Sequence, residues 1–347
     1  MNPRFERVLL TRLRFIGDIV LTTPIIKSIR DALPHSTLAF LGELPGVRLL
    51  EGNPHLNEIV PVEPDASPLS QLLVYPRLRM SRFDLVIDLF SNPRSALLSY
   101  ATGAKVRVGA GGRARSRLYT HPVFDDGKPR SVLDFHAQYL GAAGIPLTSR
   151  KTEIFLSDDE RREAVIYLRW QGIVVDRPVV GLHPGASWPA KMWQMERFAE
   201  LADLISSKAG AQVVFTQGPG EGQLVRDIAA RCAAPVKVLE TLPVRQLAAV
   251  LSNFHVYVAN DSGPMHIAAA VGTRTIGIFG PGEENIWFPY GHEDGHLALR
   301  KDVWCHPCHL NVCDKEEEGF MKCMRLLEPL EVFEAVKERI ESPVLSR

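Results

Sequence analysis

The sequence carries no excess charge of either sign: 40 lysines and arginines balance 40 aspartates and glutamates among 347 residues. A polyanion-binding chain normally shows a basic surplus, so nucleic acid is not an expected partner, although an even total leaves room for a local basic patch. No run of 18 apolar residues occurs, which removes a membrane-spanning helix from consideration. The amino-terminal stretch MNPRFERVLLTRL has no signal-type apolar region or cleavage site and reads directly into a strand. A cytoplasmic location is the expectation. Cysteine is scarce at five residues, four of them between positions 305 and 323, and this distribution is not that of a disulfide scaffold.

What is present is an α/β rhythm repeated in two halves. A length of 347 residues suggests two domains. In the first half Val8–Leu13, Thr37–Leu41, Glu58–Val62 and Phe83–Leu89 read as strands. Ile19–Leu33 has the apolar spacing of one helix, with Pro24 tolerable in its first turn. Glu63–Pro68 reads as a surface connection and residues 107–130, rich in Gly and Arg, as one long loop. A second alternation starts at Pro178 with the strand Val179–His183 and the helix Trp193–Ser206. It continues through Ala211–Phe215, the helix Glu221–Cys232, Val236–Leu239 and the helix Val244–Leu251. A boundary near residues 160–177 follows. Pro329–Ile340 reads as a final helix.

The stretch Tyr257–Gly282 condenses the pattern into strand, polar elbow, helix, strand and Gly-rich loop. Parallel sheets place binding sites beyond their strand ends. The elbow Asn260-Asp261-Ser262-Gly263 sets a carboxylate, a hydroxyl and a glycine where a helix start leaves N–H groups unpaired. A diphosphate would suit the N–H groups of Ser262, Gly263 and Met265, Pro264 having none to give; a plain helix cap is the competing reading. The elbow matches neither GxGxxG nor GxxxxGK[ST]. Lys191, in a loop ahead of a helix, could neutralise a departing phosphate or simply be a solvated lysine. His183 ends a strand and could orient a loop or bind a ligand, or equally be a satisfied structural histidine. Asp18 leaves the first strand through Arg14-Phe15-Ile16-Gly17 and could act as a general base or cap a helix. Arg107–Arg117 could meet an anionic acceptor or a membrane surface, or be merely solvated. The series Cys305-x2-Cys308-x4-Cys313-x9-Cys323 admits a structural zinc or iron–sulfur site, and equally a set of reduced, packed thiols.

Taken in order, Phe15-Ile16-Gly17-Asp18 with Thr22-Thr23-Pro24, then His183-Pro184-Gly185, Lys191 before Trp193, and Asn260-Asp261-Ser262-Gly263-Pro264-Met265-His266 resemble the ADP-heptose:lipopolysaccharide heptosyltransferases of glycosyltransferase family 9. The cysteine-bearing region looks most like the heptosyltransferase II branch. The resemblance implies a GT-B fold, two Rossmann-like domains facing across a cleft with a C-terminal helix crossing back. Residues 1–165 would bind the acceptor, 175–325 the nucleotide sugar, and 326–347 would pack toward the first domain. It implies an inverting transferase moving L-glycero-D-manno-heptose from ADP-heptose to the inner core of lipopolysaccharide, with heptosyl-Kdo2-lipid A as acceptor. The setting would be the cytoplasmic face of a Gram-negative inner membrane, with peripheral contact and no cofactor required for catalysis. Asp18 matches the family's general base and Lys191 the lysine on the donor phosphate. Asp261, Ser262 and Gly263 match the sugar-nucleotide loop, completed by Pro264, Met265 and His266, with His183 nearby. Ser262 stands where a threonine is common and keeps the hydroxyl. For the ribose carboxylate, Glu240 is the first candidate and Glu221 the second.

Overall fold

The computed structural model describes residues 5–64 and 68–342. The chain divides into two compact units, one ending at Phe155 and the other beginning at Leu156. Strands of the first are β1 (Arg7–Thr11), β2 (Thr37–Glu43), β3 (Glu58–Val62), β4 (Leu85–Asp88), β5 (Val106–Ala110) and β6 (His121–Val123). Those of the second are β7 (Val179–His183), β8 (Gln212–Phe215), β9 (Lys237–Val238), β10 (Val256–Asn260), β11 (Arg274–Phe279) and β12 (Leu297–Arg300). They pair in parallel in the orders β3-β2-β1-β4-β5-β6 and β12-β11-β10-β7-β8-β9. Counted from its own first strand, each sheet has the doubly wound order 3-2-1-4-5-6. Each therefore reverses direction of growth once, between β1 and β4 in the first and between β7 and β10 in the second. In such sheets that reversal opens a crevice at the carboxyl ends of the two central strands.

The strands are apolar along their length because both faces are covered. In β1, Val8 and Leu10 join one buried cluster while Leu9, with Leu13 beyond the strand, joins the other. The first cluster takes Ile25, Ile26 and Ile29 from the helix Thr23–Ala32, and the second takes Leu78 and Leu98 from the helices Pro68–Met80 and Pro93–Ala101. Each fully buried side chain of this size contributes about 1.5–3 kcal/mol. In the second unit Val180, Leu182, Val256, Val258, Ile276 and Ile278 pack against Phe198, Leu201 and Phe333.

Several elements depart from expectation. The single helix Ile19–Leu33 is two, Ile16–Val20 and Thr23–Ala32. Pro24 lacks an N–H and occupies the first turn of the second, so the chain restarts at Thr22. The tract 107–130 is not one loop: it holds most of β5, the turn Ala114–Leu118 and β6. Gly109 makes this arrangement possible, because a Cβ there would lie 2.3 Å from the Tyr119 ring. Residues 160–177 are no linker at their start. Asp158–Trp170 is a helix of the second unit, capped by Ser157 and burying Ala164 and Leu168. The connection Glu63–Pro68 falls partly at 65–67, outside the described residues. The last helix, Pro329–Glu341, seats Val332, Phe333 and Val336 in the core of the second unit.

Candidate active site

In the second unit the crevice between β7 and β10 is built by one buried asparagine. Asn260, the last residue of β10, accepts from the Trp193 N–H at 3.2 Å and donates to the Pro184 carbonyl at 2.8 Å. It thereby closes the loop after β7 into a fixed arc, and that arc carries Lys191. The Lys191 ammonium lies 4.5 Å from the centre of the Trp188 ring and 2.5 Å from Asp261 Oδ2. Lys191 and Asp261 side chains are 18 % and 8 % exposed. The contact is close enough for charge attraction, but Oδ2 receives no aligned hydrogen bond. Beside it the Ser262 hydroxyl is buried without a partner. An unmet buried hydroxyl costs about 1–3 kcal/mol, so this one is available to a further partner.

Ser262 is the N-cap of the helix Gly263–Ala270, yet its side chain makes no capping bond. The N–H groups of Ser262, Gly263 and Met265 have no carbonyl one turn earlier to receive them, because the first intrahelical bond of this helix is that of His266 to the N-cap carbonyl. Pro264 takes the helical position where a missing N–H costs nothing. Met265 is buried, and its sulfur fills the space over Gly277, where a Cβ would come within 2.7 Å of it. His266 is buried too and shares a 2.7 Å hydrogen bond with the Tyr290 hydroxyl. A cation, a free hydroxyl and a helix start thus converge at one strand end.

Two further strand exits border this point. His183, fully enclosed at the end of β7, shares a 3.1 Å hydrogen bond with Thr216, which shares one of 2.6 Å with Tyr257. Burial lowers the His183 pKa, and the nearby Glu221 carboxylate, 3.5 Å away, only partly opposes this. Glu221 also accepts the Gly218 N–H at 2.5 Å. A Cβ on Gly185 would stand 2.0 Å from its carboxylate, so the carboxylate lies directly against the Gly185 backbone. Glu240 is exposed and its charge is felt by Tyr167, while its neighbours Leu239 and Thr241 bond Gln217 and Gly218. Of the two ribose candidates, Glu221 is therefore the one gathered with His183 and the loop after β7. Its nearness to Gly185 has no signature in spacing, since 36 residues separate them.

After β11 the chain runs through Gly280, Pro281 and Gly282, and a Cβ on Gly282 would meet Asp261 Oδ2 at 3.2 Å. The cysteine stretch buttresses this exit. Cys308 and His309 N–H groups donate to the Pro281 carbonyl, His306 Nε2 lies 2.8 Å from the Gly282 carbonyl, and the Ala190 N–H donates to Asn311. Cys305, Cys308, Cys313 and Cys323 line one cavity of about 20 Å³, and all four are free thiols. Burial, with the other three thiols, pushes Cys323 up to about 11. Among the described residues, however, no group of three or more His, Cys, Asp or Glu side chains is arranged to hold a metal ion. The structural zinc or iron–sulfur expectation thus finds no ligand set, and no step below runs through a metal.

In the first unit Asp18 lies in the short helix Ile16–Val20, in the corresponding crevice between β1 and β4. Its Oδ2 accepts the Phe15 N–H at 3.0 Å and its Oδ1 accepts from Arg12 at 2.5 Å. The helix-capping role is real, since this carboxylate holds the N–H of the N-cap residue Phe15. Among the described residues no helix is long and apolar enough to cross a membrane.

The family model described as "Glycosyltransferase family 9 (heptosyltransferase)" matches residues 74–318. The chain belongs to glycosyltransferase family 9. It is 25 % identical over 298 residues to the lipopolysaccharide core heptosyltransferase OpsX of Haemophilus influenzae, covering 84 % of each chain. Among solved structures it is similar to a family 9 glycosyltransferase of Veillonella parvula (TM-score 0.85, 24 % identity, 99 % of both chains). It is also similar to the ADP-heptose lipopolysaccharide heptosyltransferase II of Escherichia coli (TM-score 0.77, 21 % identity, 96 % of this chain and 98 % of that one). The family 9 architecture, a GT-B pair of parallel-sheet α/β units, is therefore the fold of this chain. Its relatives bear the names of different heptosyltransferases, so membership reaches the family and not the heptosyltransferase II branch.

Proposed function

We propose that this family 9 enzyme transfers L-glycero-D-manno-heptose from ADP-heptose to the inner core of lipopolysaccharide, with heptosyl-Kdo2-lipid A as acceptor. The observation that carries the reading is the convergence of Lys191, Asp261, Ser262 and the start of the helix Gly263–Ala270 beside β10. A diphosphate supplies the acceptor oxygens that the Ser262 hydroxyl and the first-turn N–H groups lack. Its negative charge would draw the Lys191 ammonium from Asp261 as the bond from anomeric carbon to phosphate oxygen breaks. ADP departs with that electron pair. Glu221, against Gly185, would accept hydrogen bonds from the ribose hydroxyls. Asp18 would take the proton of the acceptor hydroxyl as its oxygen attacks the anomeric carbon from the opposite side, inverting it. The basic tract around Arg113, Arg115 and Arg117 suits a phosphorylated, carboxylate-bearing glycolipid. Action at the cytoplasmic face of the inner membrane, by peripheral contact, accords with that acceptor and with the absence of a spanning helix among the described residues.

Purified protein incubated with ADP-heptose and heptosyl-Kdo2-lipid A should release ADP and extend the lipid. No turnover with that acceptor or with Kdo2-lipid A would sink the assignment. A second reading keeps the donor and changes the acceptor, favoured by relatives that bear the names of different heptosyltransferases; a panel of core glycolipids and sugar nucleotides separates the two. A binding protein without activity would hold ADP tightly and form no product in any arm.

A further inference from the structure

The candidate base does not stand alone. Arg12, the residue after β1, directs one guanidinium nitrogen to Asp18 Oδ1 at 2.5 Å and the other to the Leu89 carbonyl at 2.7 Å, with its carbon 4.9 Å from the centre of the Phe90 ring. Leu89 and Phe90 belong to the turn that leaves β4, the strand across the crevice from β1. That turn is itself fixed from below. The wholly buried Asp88 carboxylate accepts the N–H groups of Phe90 at 3.0 Å and Ser91 at 2.9 Å, and the Tyr119 hydroxyl at 2.7 Å. Ser91, held at φ 51°, receives the Ala110 N–H on its hydroxyl.

We propose that Arg12 is a positioning residue for Asp18, transmitting the fixed geometry of the β4 exit to the carboxylate; this rests on the reading of Asp18 as base. A helix cap needs only the Phe15 N–H on Oδ2. The second oxygen is held by a planar fork whose other prong and aromatic stacking partner are both set by a buried turn, which leaves the carboxylate little freedom to rotate. A carboxylate has about four lone-pair sites, so two held oxygens still leave room for a substrate hydroxyl. Both side chains are about 15 % exposed (14 % and 15 %), enough for an acceptor to reach. The donor machinery lies in the other unit, so Arg12 should act on turnover and leave donor affinity alone.

The test compares R12M, R12K and D18N in the full-length enzyme, using the acceptor that supports turnover, with ADP titration and thermal melting alongside. R12M should lower kcat by about 10²-fold, the usual order for a misplaced reacting group. ADP affinity and donor KM should stay within about twofold, and R12K should recover part of kcat by restoring one charged contact. If R12M does not fold, R12K decides alone: a fall in kcat at unchanged donor KM supports the role. An Arg12 variant with wild-type kcat beside an inactive D18N overturns it. So does a rise in acceptor KM at unchanged kcat, which would make Arg12 a substrate contact. Wild-type turnover in D18N defeats the base reading itself, whatever Arg12 does.

Discussion

Gly185 and Asn260 make the narrowest demands at the scale of single residues. A methyl at Gly185 would collide with the Glu221 carboxylate, a flexible group that can move aside. G185A should therefore fold normally and raise donor KM by about tenfold, corresponding to about 1.4 kcal/mol of lost binding; steady-state kinetics on the donor checks this. Asn260 is different, because its two hydrogen bonds lie in the interior. N260A should lower stability by about 1–3 kcal/mol in a denaturant titration, leaving the Trp193 N–H and Pro184 carbonyl unmet. It should also loosen the arc that carries Lys191, so donor KM rises with the loss of stability. K191A should keep the fold and lose donor use, and unchanged kinetics would remove Lys191 from the site. At this scale the sequence was readable where position is local, as in the placing of Asp18, Lys191 and Asp261 in the segments that follow strands. It was silent on Arg12 and ranked Glu221 only second for the ribose, because the Leu89 and Gly185 partners of these side chains are remote in the chain. No spacing rule links Arg12 to Leu89, or Glu221 to Gly185.

Among elements, the helix Asp158–Trp170 shows how local signals and tertiary contacts reinforce each other. Ser157 and Glu160 form a capping box, a four-residue signature visible in the sequence S-D-D-E and sufficient to have located this helix. Glu160 also forms a two-pronged pair with Arg245, both contacts at 2.6 Å, tying the helix to Val244–Leu251. Hydrogen bonds from Arg245 hold its carboxyl at about 2, below the ordinary 4.5. A depressed carboxyl contributes stability that is present above its unfolded pKa and lost as pH falls through the folded one. The stabilising effect of the pair should thus be whole above about pH 5 and gone only below about pH 2. Melting of R245M against wild type should show a deficit of at most about 1 kcal/mol at pH 7, shrinking to nothing in acid. A deficit independent of pH would point to packing instead. Strand positions were legible because doubly buried strands are continuous apolar runs. The split at Thr22 and the strands within 107–130 were not, since a Pro in a first turn and a Gly beneath an aromatic ring gain their meaning only from packing.

For the whole molecule, two parallel sheets of identical order place the candidate residues at two reversal points, Asp18 at one and Lys191 with Asp261 at the other. The alternation of strands and helices announced this architecture, while the allotment of Asp158–Trp170 and Pro329–Glu341 to the second unit emerged only from their buried faces. In the proposed transfer the phosphate charge would be met by Lys191 and a helix start, and Asp261 already has the lysine as its partner. Transfer should therefore proceed at an unchanged rate after exhaustive chelation with EDTA, measured as ADP release; a loss restored by added Mg²⁺ would contradict this account.

The repeated strand order carries a consequence for how such a chain can diversify. Each sheet has its own exit loops, and the loops of one can be rewritten without disturbing the register of the other. A lineage could thus acquire a new glycan partner by editing the turns after β1, β4 and β5 while inheriting its activated sugar unchanged. A chimera exchanging the segment before Leu156 between two family members would reveal whether the two preferences travel separately.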